Sequence, residues 1–195
     1  FVLANPEWQI QKNPGVTQLY NATKFSGRTK GKLGIGVFNA VTAPMEAKIR
    51  NTITGKDSVI STSQLANYNI LVLDQALKGR SFVTLTNTNV VRNGADRDAN
   101  VTALDLALYN KKNSKVLRAT ARYSKIWGQS PYDGYNTTIR YDKIGGRWNY
   151  FISGNIESKR YDPNDMGILN APNEVTYRGS LSYRQPAPTD KFITY

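Results

Sequence analysis

From about Val16 onward, apolar and polar residues alternate with a period of two, broken at intervals by turn-forming residues. The clearest stretch is Lys115 to Trp127: Leu117, Ala119, Ala121 and Tyr123 point one way, and Arg118, Thr120, Arg122 and Ser124 the other. Arg147 to Glu157 repeats it, with Trp148, Tyr150, Ile152, Gly154 and Ile156 opposite Asn149, Ser153, Asn155 and Glu157; only Phe151 breaks the polar row. Val175 to Arg184 sets Val175, Tyr177, Gly179, Leu181 and Tyr183 against Thr176, Arg178, Ser180, Ser182 and Arg184. Likewise Tyr135, Thr137, Ile139 and Tyr141 oppose Asn136, Thr138, Arg140 and Asp142, and Asp105 opposes Thr102, Leu104, Leu106 and Leu108. Asn67 to Leu77, Phe82 to Val91, the Gly-rich Leu33 to Val37 and Thr17 to Phe25 are less tidy strands. The pattern predicts about nine or ten strands, most of ~9–13 residues, longer than the usual five or six.

Lys30-Gly31, Lys78-Gly79-Arg80, Asn110 to Ser114 and Gly145-Gly146 read as tight hairpin turns. Thr42 to Leu65, Gly128 to Gly134 and Lys159 to Glu174 read as longer polar loops, with Asn93 to Asp98 intermediate. Short and long connections in rough alternation suit an up-and-down barrel with tight turns at one rim. Strands of this length can cross hydrocarbon at a tilt, which takes about 9–11 residues. Tyr123, Trp127, Tyr135, Tyr141, Trp148, Tyr177 and Tyr183 sit toward the ends of the apolar face, as expected of a lipid-facing girdle at membrane interfaces. Asp105, Arg118, Arg122, Arg140, Asp142, Glu157, Arg178 and Arg184 fall on the opposite face, where ionised groups need water or partners. They are the predicted lumen lining. Two roles are open to them: a surface that guides anionic or sugar-like solutes, or a charge ladder that wets the interior and locks register.

The fold expected is therefore all-β, an antiparallel up-and-down transmembrane β-barrel in a bacterial outer membrane. Residues 1–195 would form one segment of it. Its partners would be outer-membrane lipid and lipopolysaccharide, whose phosphates strand-end residues such as Lys30, Lys78, Lys111 and Lys159 could meet.

Composition narrows the chemistry. There are 26 Lys+Arg against 14 Asp+Glu, a formal charge of +12, with no Cys and no His among the 195 residues. That excludes disulfides, thiolate zinc sites, cysteine nucleophiles and every triad built on histidine. No apolar run approaches the ~18 residues of a membrane helix. The aromatics alternate away from the arginines of the same strands, so no base-stacking platform forms and no nucleic-acid partner is expected.

Gly31-Lys32-Leu33-Gly34-Ile35-Gly36 lacks the Gly-Lys-Ser/Thr ending of a phosphate loop and reads as a bendable strand. Asp162-Pro163-Asn164-Asp165, and Asp96 with Asp98, offer oxygen ligands to calcium but miss the EF-hand spacing, so they read as turns. Asp142 and Glu157 form the best available carboxylate pair for glycoside cleavage, with ion pairing to Arg140 or Arg122 as the competing role. No catalytic residue, cofactor or metal is predicted.

Three stretches carry a family resemblance. They are Ser26-Gly27-Arg28-Thr29-Lys30 running into Leu33 to Thr42, Asn69-Ile70-Leu71-Val72-Leu73-Asp74-Gln75, and Phe82 through Val90 continuing to Asp98 to Thr102. They resemble a family of large, uncharacterised outer-membrane β-barrel proteins of Gram-negative bacteria, in which a periplasmic domain similar to family-nine carbohydrate-binding modules precedes the barrel. The resemblance covers about Gly15 to Thr189 and implies an internal piece of a longer barrel, ending as a new strand, Lys191 to Thr194, begins. Any glycan contact would belong to the domain this chain lacks. The expected function is a structural wall, conduit or platform with a polar, Arg-rich lumen and no catalytic activity. The alternatives are a soluble lectin-like carbohydrate-binding module, or an accessory barrel subunit whose long loops dock other members of an outer-membrane complex.

Overall fold

A computed structural model describes residues 4–185. Twelve strands run in chain order as β1 (Trp8–Lys12), β2 (Leu19–Arg28), β3 (Leu33–Thr42), β4 (Met45–Asn51), β5 (Asp57–Ser63), β6 (Leu65–Ala76), β7 (Phe82–Asn93), β8 (Asp98–Tyr109), β9 (Lys115–Trp127), β10 (Tyr132–Lys143), β11 (Trp148–Glu157) and β12 (Val175–Tyr183). Every pairing is antiparallel. The all-β, up-and-down reading holds, with more strands than the nine or ten expected. The strand expected at Lys191 to Thr194 lies outside the described residues.

Nine strands form one sheet in the order β12-β11-β10-β9-β8-β7-β6-β3-β2, and three form a second, β1-β4-β5. Residues 42–65, expected to be a polar loop, supply β4 and β5 instead. Thr42 pairs with Ala66 at the end of β3 and β6, and Met45 pairs with Ser63 just beyond. The β4–β5 hairpin thus prolongs the β3–β6 ladder as an arm, and β1 flanks β4 where β2 flanks β3. Short alternating stretches such as Ala47, Ile49 and Asn51 against Glu46, Lys48 and Arg50 carried the signal, obscured by their polar composition.

The tight turns fall at one rim, between β2 and β3, β6 and β7, β8 and β9, and β10 and β11. Local chemistry fixes them. Asn113 takes φ +52°, while the Asn110 side-chain oxygen accepts from the Ser114 and Lys115 amides at 2.8 and 3.0 Å. At the other rim, β7–β8 and β9–β10 are also joined by short links, residues 94–97 and 128–131. Only the arm and residues 158–174 are long there, so the predicted alternation of loop lengths is partial.

The nine-stranded sheet is open among the described residues, with β2 and β12 at its edges. No closed barrel forms from these strands. Paired residues across the ladder share a face, so the register sorts the two faces: one carries the arginines and carboxylates, the other the leucines and isoleucines.

Candidate functional site

The polar face brings Asp105, Arg118, Arg122, Arg140, Asp142, Glu157 and Arg178 together on β8 to β12. Arg184 lies just past the end of β12, its amide donating to the Arg147 carbonyl at 2.8 Å. Asp142 is the hub. Its side chain is only 6% exposed, and it accepts from Arg118 and, at 2.8 and 2.7 Å, from Nε and Nη2 of Arg140. Arg140 also stacks on the Phe151 ring, 3.7 Å from its centroid, so the residue that broke the polar row supplies a cation–π floor. Farther along, Thr120 donates to Asp105 at 2.7 Å, Arg122 to Asn136 at 3.0 Å, and Asn136 to Asn155 at 2.9 Å and to Glu157 at 3.3 Å. Arg28 and Thr84 converge on Asp74 at 2.7 and 2.9 Å, a cluster that sequence reading did not single out.

Toward the long-loop rim this face turns apolar. Val90, Ala99 and Ile126 lie in one ladder row and are 1–3% exposed. Residues 158–174 fold over them as a strap. Tyr161 is buried under it, and Pro163 and Met166 line a small gap against Val90, Ala99 and Val101. Charge clamps it: Asp165 pairs with Arg92 at 2.8 Å and with Arg97 at 2.9 Å, and Asp162 pairs with Arg97 at 3.0 Å. The Tyr132 hydroxyl donates to Asp162 at 2.6 Å, and the Asp162 amide donates to the Ser124 hydroxyl at 3.0 Å. Burial alone would raise the Asp162 carboxyl, but the Tyr132 hydroxyl, the Asn164 amide and Arg97 outweigh it and hold it below the usual carboxylate range. Burial likewise works against the Arg97 charge, and Asp165 and Asp162 overcome it. Asp162 and Asp165, read from the sequence as turn formers or calcium ligands, are committed to arginines. Among the described residues no group of three or more His, Cys, Asp or Glu side chains gathers to hold a metal.

The carboxylate pair is also separated. Glu157 lies opposite Asn136, six residues along β10 from Asp142, or about 20 Å of extended chain. Glycosidase carboxyls stand roughly 5–9.5 Å apart, so this pair cannot serve. Gly31 to Gly36 run from a turn straight into β3, with no helix to cradle a phosphate.

On the other face, the apolar side chains meet no second protein layer: Leu104 is 47% exposed, Ile152 67% and Leu181 69%. Tyr123, Trp127, Tyr135, Tyr141, Trp148, Tyr177 and Tyr183 all lie on it. Trp148 meets Tyr183 edge-on at 5.0 Å, and Tyr141 approaches Tyr150 at 6.2 Å. The apolar run is oblique to the strands. The ladder row of Ile35, the middle of the run in β3, passes through Leu73, Leu85, Leu104, Ala121 and Thr137 to Ile156. The middle of the run in β11 is Ile152, four residues nearer the tight turns. That is a drift of about 13 Å over six strand spacings, about 29 Å, a slope of roughly 25°.

Above the run, toward the long-loop rim, the next row is Asn39, Asn69, Asn89 and Asn100. Asn39 donates to Asn67 and Asn69 at 2.6 and 2.8 Å, and Asn87 and Asn100 exchange hydrogen bonds at 3.1 Å. The sequence shows these asparagines at alternating positions. Only the register reveals that they bound the apolar run across four strands.

No curated protein and no solved structure matches the chain. A family model does, over residues 2–195, essentially the whole length. The chain belongs to the family described as Domain of unknown function (DUF5916).

Proposed function

We propose that this sheet is part of the wall of an outer-membrane β-barrel, its apolar face against lipid and its polar, Arg-rich face lining a hydrated interior. The observation that carries the reading is the exposed apolar run crossing the strands at a slant. A hydrocarbon layer is flat, and barrel strands cross it tilted, so the apolar residues must form a band oblique to the ladder. A soluble sheet would cover that face with a second layer or make it polar. The aromatic residues near both ends of the run and the asparagine row beyond it suit the passage from hydrocarbon to headgroups. On this reading the open edges β2 and β12 require further strands, since unpaired backbone in lipid costs several kcal/mol per group. The protein acts as a wall, conduit or platform, without catalysis.

Fractionation tests this. The native protein should stay with outer membranes through an alkaline carbonate wash, need detergent for extraction, and migrate faster unheated than boiled in mild SDS electrophoresis. Recovery as a folded monomer in detergent-free buffer would refute it and favour a soluble binding module.

A further inference from the structure

We propose that the arginine row across β9, β10 and β12 is a binding site for a phosphate-type oxyanion, a group carried by inorganic phosphate or a phosphate monoester. The row is Arg118, Arg140, Ser153 and Arg178, each directly paired with the next across the ladder. A charge ladder built to lock register would set opposite charges face to face, because like charges in direct opposition destabilise a sheet. Here two guanidiniums face each other and share one carboxylate, Asp142. Arg178 has no ion-pair partner among the described residues, so the row holds three positive charges against one negative.

Space and donors accompany the charge. Arg140 and Arg178 border a depression of about 320 Å³, which Thr138, Ser153, Asn155, Thr176 and Glu174 complete. Arg140 spends Nε and Nη2 on Asp142, and the ion pair with the cation–π contact to Phe151 fix its guanidinium in place. Its Nη1 is left for a ligand. Guanidinium groups suit tetrahedral oxyanions because their planar forks donate two parallel hydrogen bonds, and the neighbouring hydroxyl and amide groups can take the remaining oxygens. Glu174, the carboxylate at this depression, accepts from Thr176 and lies four residues from Arg178, about 13 Å along the chain. It therefore leaves the arginine end uncompensated.

The inference rests on the polar face being hydrated, as proposed above, but its test does not depend on the membrane. The detergent-solubilised native protein is titrated calorimetrically with sodium phosphate and with glucose 1-phosphate, at constant ionic strength set by chloride. Saturable binding is expected, at least 10-fold weaker in Arg178→Gln and unchanged in Arg184→Gln, which lies off the row. Unsaturable heats in the native protein, or equal affinity in Arg178→Gln with an unaltered melting curve, would overturn the site. Tighter binding of glucose 1-phosphate than of phosphate would assign it to organic monoesters, and the reverse to the free ion. Fractionation failure would remove the barrel and leave this titration standing; a failed titration would leave the barrel.

Discussion

Replacing Gly134 with alanine tests how the strap is held. The new Cβ would stand 2.2 Å from the Tyr161 nitrogen and 2.3 Å from the Arg160 carbonyl carbon. Both are backbone atoms, so no side-chain rotation can relieve the clash. Ordinary contacts fall at about 3.5–4.0 Å, which requires the strap to retreat by roughly 1.5 Å. That displacement exceeds the tolerance of the Asp162 amide bond to Ser124, now 3.0 Å, and of the Tyr132 bond to Asp162, now 2.6 Å. Losing two such bonds at about 0.5–1.5 kcal/mol each shifts the docked state by about 1–3 kcal/mol, or roughly 5- to 150-fold in population. Limited trypsin cleavage after Lys159 and Arg160 reads that population when opening is fast relative to cleavage. Gly134→Ala should be nicked there at least 5-fold faster than the native chain. Gly154→Ala is the control, because its Cβ meets only the edge of the Tyr177 ring at 3.4 Å. A folded Gly134→Ala protein nicked at the native rate would refute this account of the strap.

Two further outcomes follow from the same networks. The Asp162 carboxyl is held below its unfolded value of about 3.9, so its contribution is complete above that pH and disappears as pH falls through the depressed value. Strap cleavage, followed with an acid-tolerant protease, should stay flat from pH 7 to about 5 and rise only below 4; loosening between pH 7 and 5 would contradict it. Asp142→Asn leaves Arg118 and Arg140 facing each other without a counter-charge. Both are more than a third exposed, so screening limits the expected loss to about 1–2 kcal/mol, seen as a lower urea midpoint in micelles and partly restored by adding Arg118→Gln. An unchanged midpoint would show that Asp142 is dispensable.

The sequence alone determined the strands and their two unlike faces. A period of two is a local property: side chains at 117, 119 and 121 must leave the backbone on the side opposite 118, 120 and 122 whatever surrounds them. The tight turns were equally legible, since glycine and asparagine at φ > 0 act through their own backbone. The arm was missed because β4 and β5 are short and polar, and a hairpin gains stability only by continuing a ladder already formed by β3 and β6. The tertiary structure alone decided which residues meet. Cross-strand register set Arg118 against Arg140, aligned the four asparagines, and revealed the slant of the apolar run; no single strand contains that information. It also folded residues 158–174 onto Val90, Ala99 and Ile126, turning two carboxylates that read as turn formers into clamps on Arg92 and Arg97. Periodicity is written along the chain, whereas register and loop docking depend on contacts between segments tens of residues apart, where burial and charge pairing choose among arrangements that the local pattern leaves equal.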